Sequence, residues 1–301
     1  MGQERPLVLE RDSKQFPAEL ASVPAPPEEI YVRGRLEWLA RTPRVAIVGT
    51  RAPTPYGEAQ ARRFARALAG AGVVVVSGMA RGIDEAAHLG ALEVGGATIA
   101  VLGSGVDRPW PSGPLAERLA VDGLLLSEFA PGEGPRRHHF PLRNRLIAGL
   151  SGAVIVIEAA HASGSLITAR WAVDLGREVY ALPGRVDHPM ARGCHRLLRE
   201  GAKLVESPEE ILAELGLAEQ VLAEAGSVEP SAAPDDGSSR PHGSDALARS
   251  ILQALLGETL SLDELIQRVG APPMNLLSML AELELRGSVA RGPGGLYRRP
   301  P

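Results

Sequence analysis

The stretch from Phe140 to Ser151, FPLRNRLIAGLS, joins a basic turn to an apolar helical pattern. Between Gly134 and Ile157 the chain carries four arginines (Arg136, Arg137, Arg143, Arg145), two histidines and one aromatic residue, Phe140, with no acid before Glu158. Guanidinium forks bind phosphate oxygens in pairs, and an aromatic face stacks on a base. Those are the two ingredients of single-strand nucleic-acid binding. The segment is read as one wall of such an interface, with Phe140, Arg143 and Arg145 facing the ligand and Asn144 as a cap or loop-pinning residue. Leu146, Ile147 and Leu150 belong to the core. The competing account is a solvated basic helix end.

Other clusters stand at comparable turns. Gly49-Thr50-Arg51 offers a backbone amide, a hydroxyl and a guanidinium directly after an apolar run, a set that holds phosphate. Ser163-Gly164-Ser165 follows Glu158 and could form an anion nest, or simply cap a helix. Gly103-Ser104-Gly105 lacks the third glycine of the dinucleotide fingerprint, with Arg108 in that place, which argues against NAD. There is no P-loop lysine motif. Asp84 and His88 lie one helical turn apart, but no nucleophile stands at a telling spacing, so capping and internal hydrogen bonding account for them. The lone Cys194 excludes a disulfide framework and a cysteine-based zinc site. No cofactor, metal or catalytic group is expected.

The 301 residues suffice for a large domain plus a small one. The net charge of -4 averages unlike parts: Glu206 to Arg240 holds nine acids against one base, while the first 205 residues carry +4. A polyanion partner fits that remainder. No apolar run is long enough to cross a bilayer and the first residues do not resemble a signal peptide, so the expectation is a cytoplasmic protein.

Between Arg44 and Val205 apolar runs of strand length alternate with helical patterns, as in a doubly wound, mostly parallel α/β sheet of extended Rossmann type. Strands are expected at Arg44 to Val48, Val73 to Ser77, Thr98 to Leu102, Leu124 to Ser127, Ala153 to Ile157, Glu178 to Leu182 and Lys203 to Val205. Helices are expected at Glu58 to Ala69, Ile83 to Glu93, Ser112 to Ala120, Leu142 to Leu150, Leu166 to Asp174 and Cys194 to Glu200. Ligands of such sheets bind at the carboxyl ends of the strands. Residues 1–43 form a lead-in packing on the core, 44–215 the Rossmann-like domain, 216–243 a flexible linker and 244–301 a winged helix of three helices and a hairpin. The third helix of that unit is too acidic for a DNA groove, and its Leu and Met face suits a protein partner.

In order along the chain, VAIVGTR (Val45 to Arg51), YG (Tyr56, Gly57), SGMARGIDEAAHLGAL (Ser77 to Leu92), TIAVLGSGVD (Thr98 to Asp107), LLSEF (Leu125 to Phe129), FPLRNRLIAGLS, EAAHASGSLITA (Glu158 to Ala169) and ALPG (Ala181 to Gly184) resemble the DNA-processing protein A family, DprA or Smf. The resemblance spans Phe16 to Ala202, and its specificity lies in the order and spacing of the motifs. It implies a non-catalytic homodimer that binds single-stranded DNA without sequence preference and loads the RecA recombinase during natural transformation. It also implies a pocket lined by Arg51, by the turn Gly103 to Gly105, and by basic and aromatic residues around Arg143-Asn144-Arg145, for which Arg136, Arg137 and Phe140 are the candidates. His195 stands where the family has the asparagine of a Gly-x-Asn motif, Thr50 replaces a common serine, and the segment at Phe16 leaves no room for the family's small N-terminal helical domain. A second class, a nucleotide phosphoribohydrolase on a similar sheet, would need a Pro-Gly-Gly-x-Gly-Thr signature where this chain reads Pro183-Gly184-Arg185-Val186-Asp187.

Overall fold

Strand β3 (Arg44–Val48) is buried on both faces, with Val45 and Ile47 on one side and Ala46 and Val48 on the other. Such a strand belongs in the middle of a parallel sheet. It pairs in parallel with β4 (Val74–Ser77) and β7 (Ala153–Val156). The computed structural model describes residues 6–217, 243–255, 258–292 and 295–299. The chain forms two compact units, Met1–Val228 and Glu229–Pro301. Of the expected linker, residues 218–242 lie outside the described residues.

The sheet of the first unit has nine strands in the order β1-β2-β6-β5-β4-β3-β7-β8-β9, where β1 is Leu7–Glu10, β2 Glu29–Gly34, β5 Thr98–Val101, β6 Leu124–Ser127, β8 Glu178–Ala181 and β9 Lys203–Leu204. The strand order reverses between β3 and β7, the switch point of a doubly wound sheet. Helices α2 (Pro55–Gly70), α3 (Ile83–Glu93) and α4 (Pro114–Asp122) follow β3, β4 and β5, and α5 (His139–Leu150), α6 (Ser165–Asp174) and α7 (Arg192–Arg199) follow β6, β7 and β8. The α2 and α3 side packs Phe64, Leu68 and Ile83 on Val45, Ile47 and Val75, and α8 (Pro208–Glu214) closes it through Ile211 and Leu212. The other side packs Leu146, Ile147 and Leu150 of α5 on Ala46, Val48, Val76 and Val101. A Ser207–Glu210 capping box starts α8, as the Ser-Pro-Glu-Glu sequence predicts.

Several features differ from expectation, among them the start of α2 at Pro55, three residues before Glu58. The lead-in contributes β1 and β2, which extend the sheet antiparallel beside β6, so it is part of the sheet itself. An antiparallel pair needs no crossover helix, and these short segments carry none of the βαβ alternation that marks the rest. Helix α5 begins at His139, three residues before Leu142. Pro141 falls at its third position, where a missing N–H costs no intrahelical bond.

The second unit has helices at Gly243–Ala254, Leu262–Val269 and Pro273–Leu285 around Ile251, Leu255, Leu265, Leu276, Leu280 and Leu283. Tyr297–Arg298 pairs antiparallel with Ala290–Arg291, the expected hairpin, and also with Thr259–Leu260, a third strand too short to carry a pattern. This is a winged helix. Met274, Leu277 and Leu285 stand exposed on its third helix. Among the described residues no helix is long and apolar enough to cross a membrane.

His88 of α3 ties the helix to the sheet. Its Nδ1 lies 2.7 Å from Thr98 Oγ1, and that hydroxyl donates to the Val75 carbonyl at 2.9 Å. The hydroxyl proton is thus spent, so Nδ1–H donates and the ring is neutral. Burial, helped by the nearby Arg143 cation, pulls His88 down to about 3. The unfolded chain, titrating near the usual 6.5, binds the proton first, so stability falls as pH drops from about 6.5 toward 3. The expected loss is on the order of 4 kcal/mol. His88→Gln should flatten most of that slope in urea unfolding followed by tryptophan fluorescence. A variant with the wild-type slope would show that other groups carry it.

Candidate nucleic-acid interface

At the carboxyl edge of the sheet β3 runs into Gly49-Thr50-Arg51, β4 into Gly78 to Gly82, and β5 into Leu102 and the turn Gly103 to Gly105. The first turn of α5 arrives at the same edge. The Phe140 ring lies flat enough on Gly103 that an added Cβ there would come within 3.0 Å of it. The Arg51 guanidinium carbon stands 5.3 Å from the centre of the Phe140 ring. A cation over an aromatic face is held in place without spending its N–H donors. Arg51 is exposed and makes no salt bridge among the described residues, although its charge is felt by the buried Asp84. Three of the expected site residues, Arg51, Gly103 and Phe140, are thereby brought together across a large sequence separation.

His139 supports that arrangement and was not singled out in the sequence. Its Nδ1 lies 3.1 Å from the Gly103 carbonyl and its ring stacks on Phe129 at 3.8 Å. It fixes the start of α5 to the glycine turn. Ser104 is fully buried and its hydroxyl donates to the Arg108 carbonyl at 2.9 Å, so this turn presents backbone to a ligand and no side chain. Arg136 and Arg137 are exposed in the turn before α5; Arg136 reaches Glu133 only at 4.0 Å, and Arg137 has no partner among the described residues.

The expectation that Arg143 and Arg145 face the ligand is corrected. Arg143 is 3% exposed and donates from a terminal nitrogen to the Val101 carbonyl at 2.5 Å. It passes directly under Gly78, where a Cβ would sit 2.1 Å from that nitrogen. The buried Asp84 carboxylate accepts from the Gly78 and Ala80 amides at 3.2 and 3.4 Å and is Arg143's attractive electrostatic partner. Burial pushes Asp84 up against the pull of Arg143, and draws Arg143 down to about 10 against the pull of Asp84, leaving it a cation at neutral pH. Between the two amides Met79 is held at a φ of 54°, a left-handed backbone that costs a non-glycine residue free energy. Arg145 is spent as well: it bonds both Glu128 oxygens at 2.6 and 2.5 Å, and the Pro24 and Ala25 carbonyls at 3.0 and 2.9 Å. Both arginines are internal struts because long-range partners claim them.

Asn144 is also buried and donates to the Gly164 carbonyl at 3.2 Å, so it pins the loop before α6. There the Ser163 and Ser165 hydroxyls pair with each other at 2.8 Å, and Ser163 Oγ also accepts from the Ser165 amide at 3.4 Å, at the first residue of α6. His195, half-buried, holds the Gly184 carbonyl through Nε2 at 3.0 Å. Ser163, Gly164 and Ser165 follow β7, and His195 approaches the end of β8. The sheet order sets them on the far side of the switch point from Arg51 and Phe140.

Between the two groups stands Glu158. Its carboxylate accepts from the Thr54 amide at 2.9 Å and the Thr54 hydroxyl at 2.6 Å, directly before α2. Gly57 makes the space, since a Cβ there would lie 2.3 Å from that carboxyl. An internal carboxylate thus occupies the helix start where a Rossmann sheet ordinarily seats a nucleotide phosphate. Cys194 is fully buried and burial pushes its thiol up to about 12, which makes it an inert core residue. Among the described residues no cluster of His, Cys, Asp or Glu could hold a metal. A groove of about 1230 Å³ on the α6 and α7 face, lined by Arg170, Trp171, Val173 and Leu197, reaches this edge at Ser163.

A family model described as DNA recombination-mediator protein A matches residues 7–216, and one described as the DprA winged helix domain matches residues 229–295. Protein Smf of Escherichia coli is 40% identical over 296 residues, covering 97% of this chain and 77% of the relative. The X-ray structure of DNA processing protein A from Streptococcus pneumoniae superimposes with a TM-score of 0.66 at 42% identity, over 70% of this chain and 75% of that one. The structure of DNA processing protein A from Helicobacter pylori, described by its single-stranded DNA binding mode, gives 0.64 at 31% identity, over 73% of this chain and 96% of that one.

The side chains of Arg145 and Glu128 are 7% and 15% exposed, so removing one partner strands a buried charge. Glu128→Ala should lower the stability of the first unit by about 3 to 5 kcal/mol. All three tryptophans lie in that unit, so its urea transition can be followed by their fluorescence. A loss under about 1 kcal/mol would mean the pair behaves as a surface salt bridge.

Proposed function

The chain belongs to the DNA recombination-mediator protein A family, and from that premise we propose that it is a cytoplasmic, non-catalytic binder of single-stranded DNA. In this reading it shields incoming strands and loads RecA recombinase onto them during natural transformation or recombination. The observation that carries the reading is the Arg51 and Phe140 pair on the Gly103 turn, an unneutralised guanidinium over an exposed-edge aromatic ring. It offers a phosphate contact and a stacking face side by side. The relative from Helicobacter pylori, described by its single-stranded DNA binding mode, supports the same ligand.

Arg136 and Arg137 extend the positive rim, and the first turn of α5 contains no acid, so its amide end adds to the attraction for phosphate. Ser163, Gly164, Ser165 and His195 belong to the part of the edge that follows β7 and β8, which a longer strand would reach. Asn144, Arg143 and Arg145 serve the interface by positioning it. A homodimer is part of the proposal: the sheet ends on two open edges, β1 and β9, where Leu7, Val8 and Leu204 stand half-exposed, and a second copy would cover one of them. The exposed Met274, Leu277 and Leu285 of the winged helix are assigned to a protein partner.

Arg51→Ala should weaken binding to oligo-dT by roughly tenfold in fluorescence anisotropy. It should also reduce the slope of log affinity against log salt by about 0.7, the increment for one phosphate on a single strand. Arg137→Ala should lower the same slope with a smaller loss of affinity. Unchanged affinity and slope in Arg51→Ala would place the interface elsewhere. The recombinase step is checked separately, by whether the chain accelerates RecA strand exchange on DNA already coated with a single-strand binding protein.

A further inference from the structure

The loop that leaves the Gly103 to Gly105 turn carries Trp110, and this indole is 51% exposed. The other two tryptophans differ: Trp38 is 4% exposed and Trp171 packs against the core. The exposure is not a sign of slackness in the loop. Arg108 N donates to the Gly105 carbonyl at 3.0 Å, the Ser104 hydroxyl holds the Arg108 carbonyl at 2.9 Å, and both Asp107 oxygens accept the Gly132 amide at 2.9 Å. Pro109 and Pro111 flank the indole and remove further backbone freedom. A large aromatic ring is therefore held outward by a fixed support, at the carboxyl edge that also carries Phe140.

Its surroundings select the ligand. Arg108 is exposed and has no carboxylate partner among the described residues, and neither has Arg81 on the neighbouring β4 loop. Asp107, the preceding residue, is turned to the Gly132 amide, which it accepts with both carboxylate oxygens. An aromatic face beside unneutralised guanidinium groups stacks on a base while the cations meet the flanking phosphates. From the end of β3 to the end of β5 is two strand spacings, roughly 10 Å. A strand gripped at Arg51 and Phe140 can thus be carried on over the β5 turn.

We propose that Trp110 is a second base-stacking platform and Arg108 its phosphate contact, extending the path of single-stranded DNA past the Gly103 to Gly105 turn onto the loop before α4. The proposal rests on the single-strand reading above, and its test separates the two. Oligo-dT is titrated into the full chain with two readouts, anisotropy of a labelled strand and quenching of intrinsic tryptophan fluorescence. The wild-type chain should bind with strong quenching. Trp110→Phe, which keeps a stacking ring, should bind within about threefold of wild type yet lose most of the quenching, while Trp110→Ala should bind roughly tenfold more weakly. Arg108→Ala should lower the salt slope by about 0.7 with quenching retained. If wild type binds oligo-dT but Trp110→Ala binds as tightly, or Trp110→Phe is quenched like wild type, the platform is refuted and the single-strand reading stands. If wild type does not bind oligo-dT at all, both fall together.

Discussion

One buried cation sets the geometry of the whole carboxyl edge. Arg143 enters from α5 on one face of the sheet, crosses beneath Gly78, bonds the Val101 carbonyl at the end of β5, and is drawn electrostatically to Asp84 at the start of α3 on the other face. An interior guanidinium is costly without such partners, so each of them is held to its place as firmly as the arginine is. Phe140 lies three positions earlier on the same helix, hence on the same side. Sinking Arg143 therefore fixes the rotation of α5 and brings Phe140 down on Gly103, where Arg51 can cover it. The exposed pair has its geometry because the hidden cation has none to spare.

The topology adds a second constraint. A doubly wound sheet gathers its loops at the carboxyl ends of the strands and leaves a crevice where the order reverses. Here the crevice between β3 and β7 is filled from inside: the Thr50 amide bonds the Glu158 carbonyl at 2.7 Å, and the Glu158 carboxylate caps α2 through Thr54. The positive end of α2 is neutralised by the chain itself. Unneutralised charge is displaced sideways, toward the ends of β3, β4 and β5, where Arg51, Arg81 and Arg108 stand. The same fold that elsewhere receives one compact nucleotide thus presents an open rim, suited to a ligand that continues past either end.

Much of this was legible in the sequence. The strands from Arg44 onward fall within a residue or so of their expected bounds, because apolar runs closed by glycine turns mark buried parallel strands without reference to distant partners. The positions of Arg51, Gly103 and Phe140 at the ends of elements could be read in the same way. What could not be read was which arginines are consumed inside. Arg137 and Arg145 look alike in a local window, yet Arg145 is claimed by Glu128 and by carbonyls at Pro24 and Ala25, more than a hundred residues away. The same holds for Arg143 and Val101, and for the lead-in strands, whose partner β6 lies far along the chain. Ser104 looks available in the sequence and is engaged internally. Trp110 carried no periodic signal at all, being one ring between two prolines.

Gly78, Arg143 and Asp84 also bind one another's futures. Any larger residue at position 78 would have to evict the guanidinium, while shortening Arg143 would leave the buried Asp84 without its neighbouring cation. No one of the three can drift alone. Substitutions there must arrive together or pass through a poorly folded intermediate, so this corner should accept change in steps of two or three residues, while the exposed arginines of the rim can be exchanged one at a time.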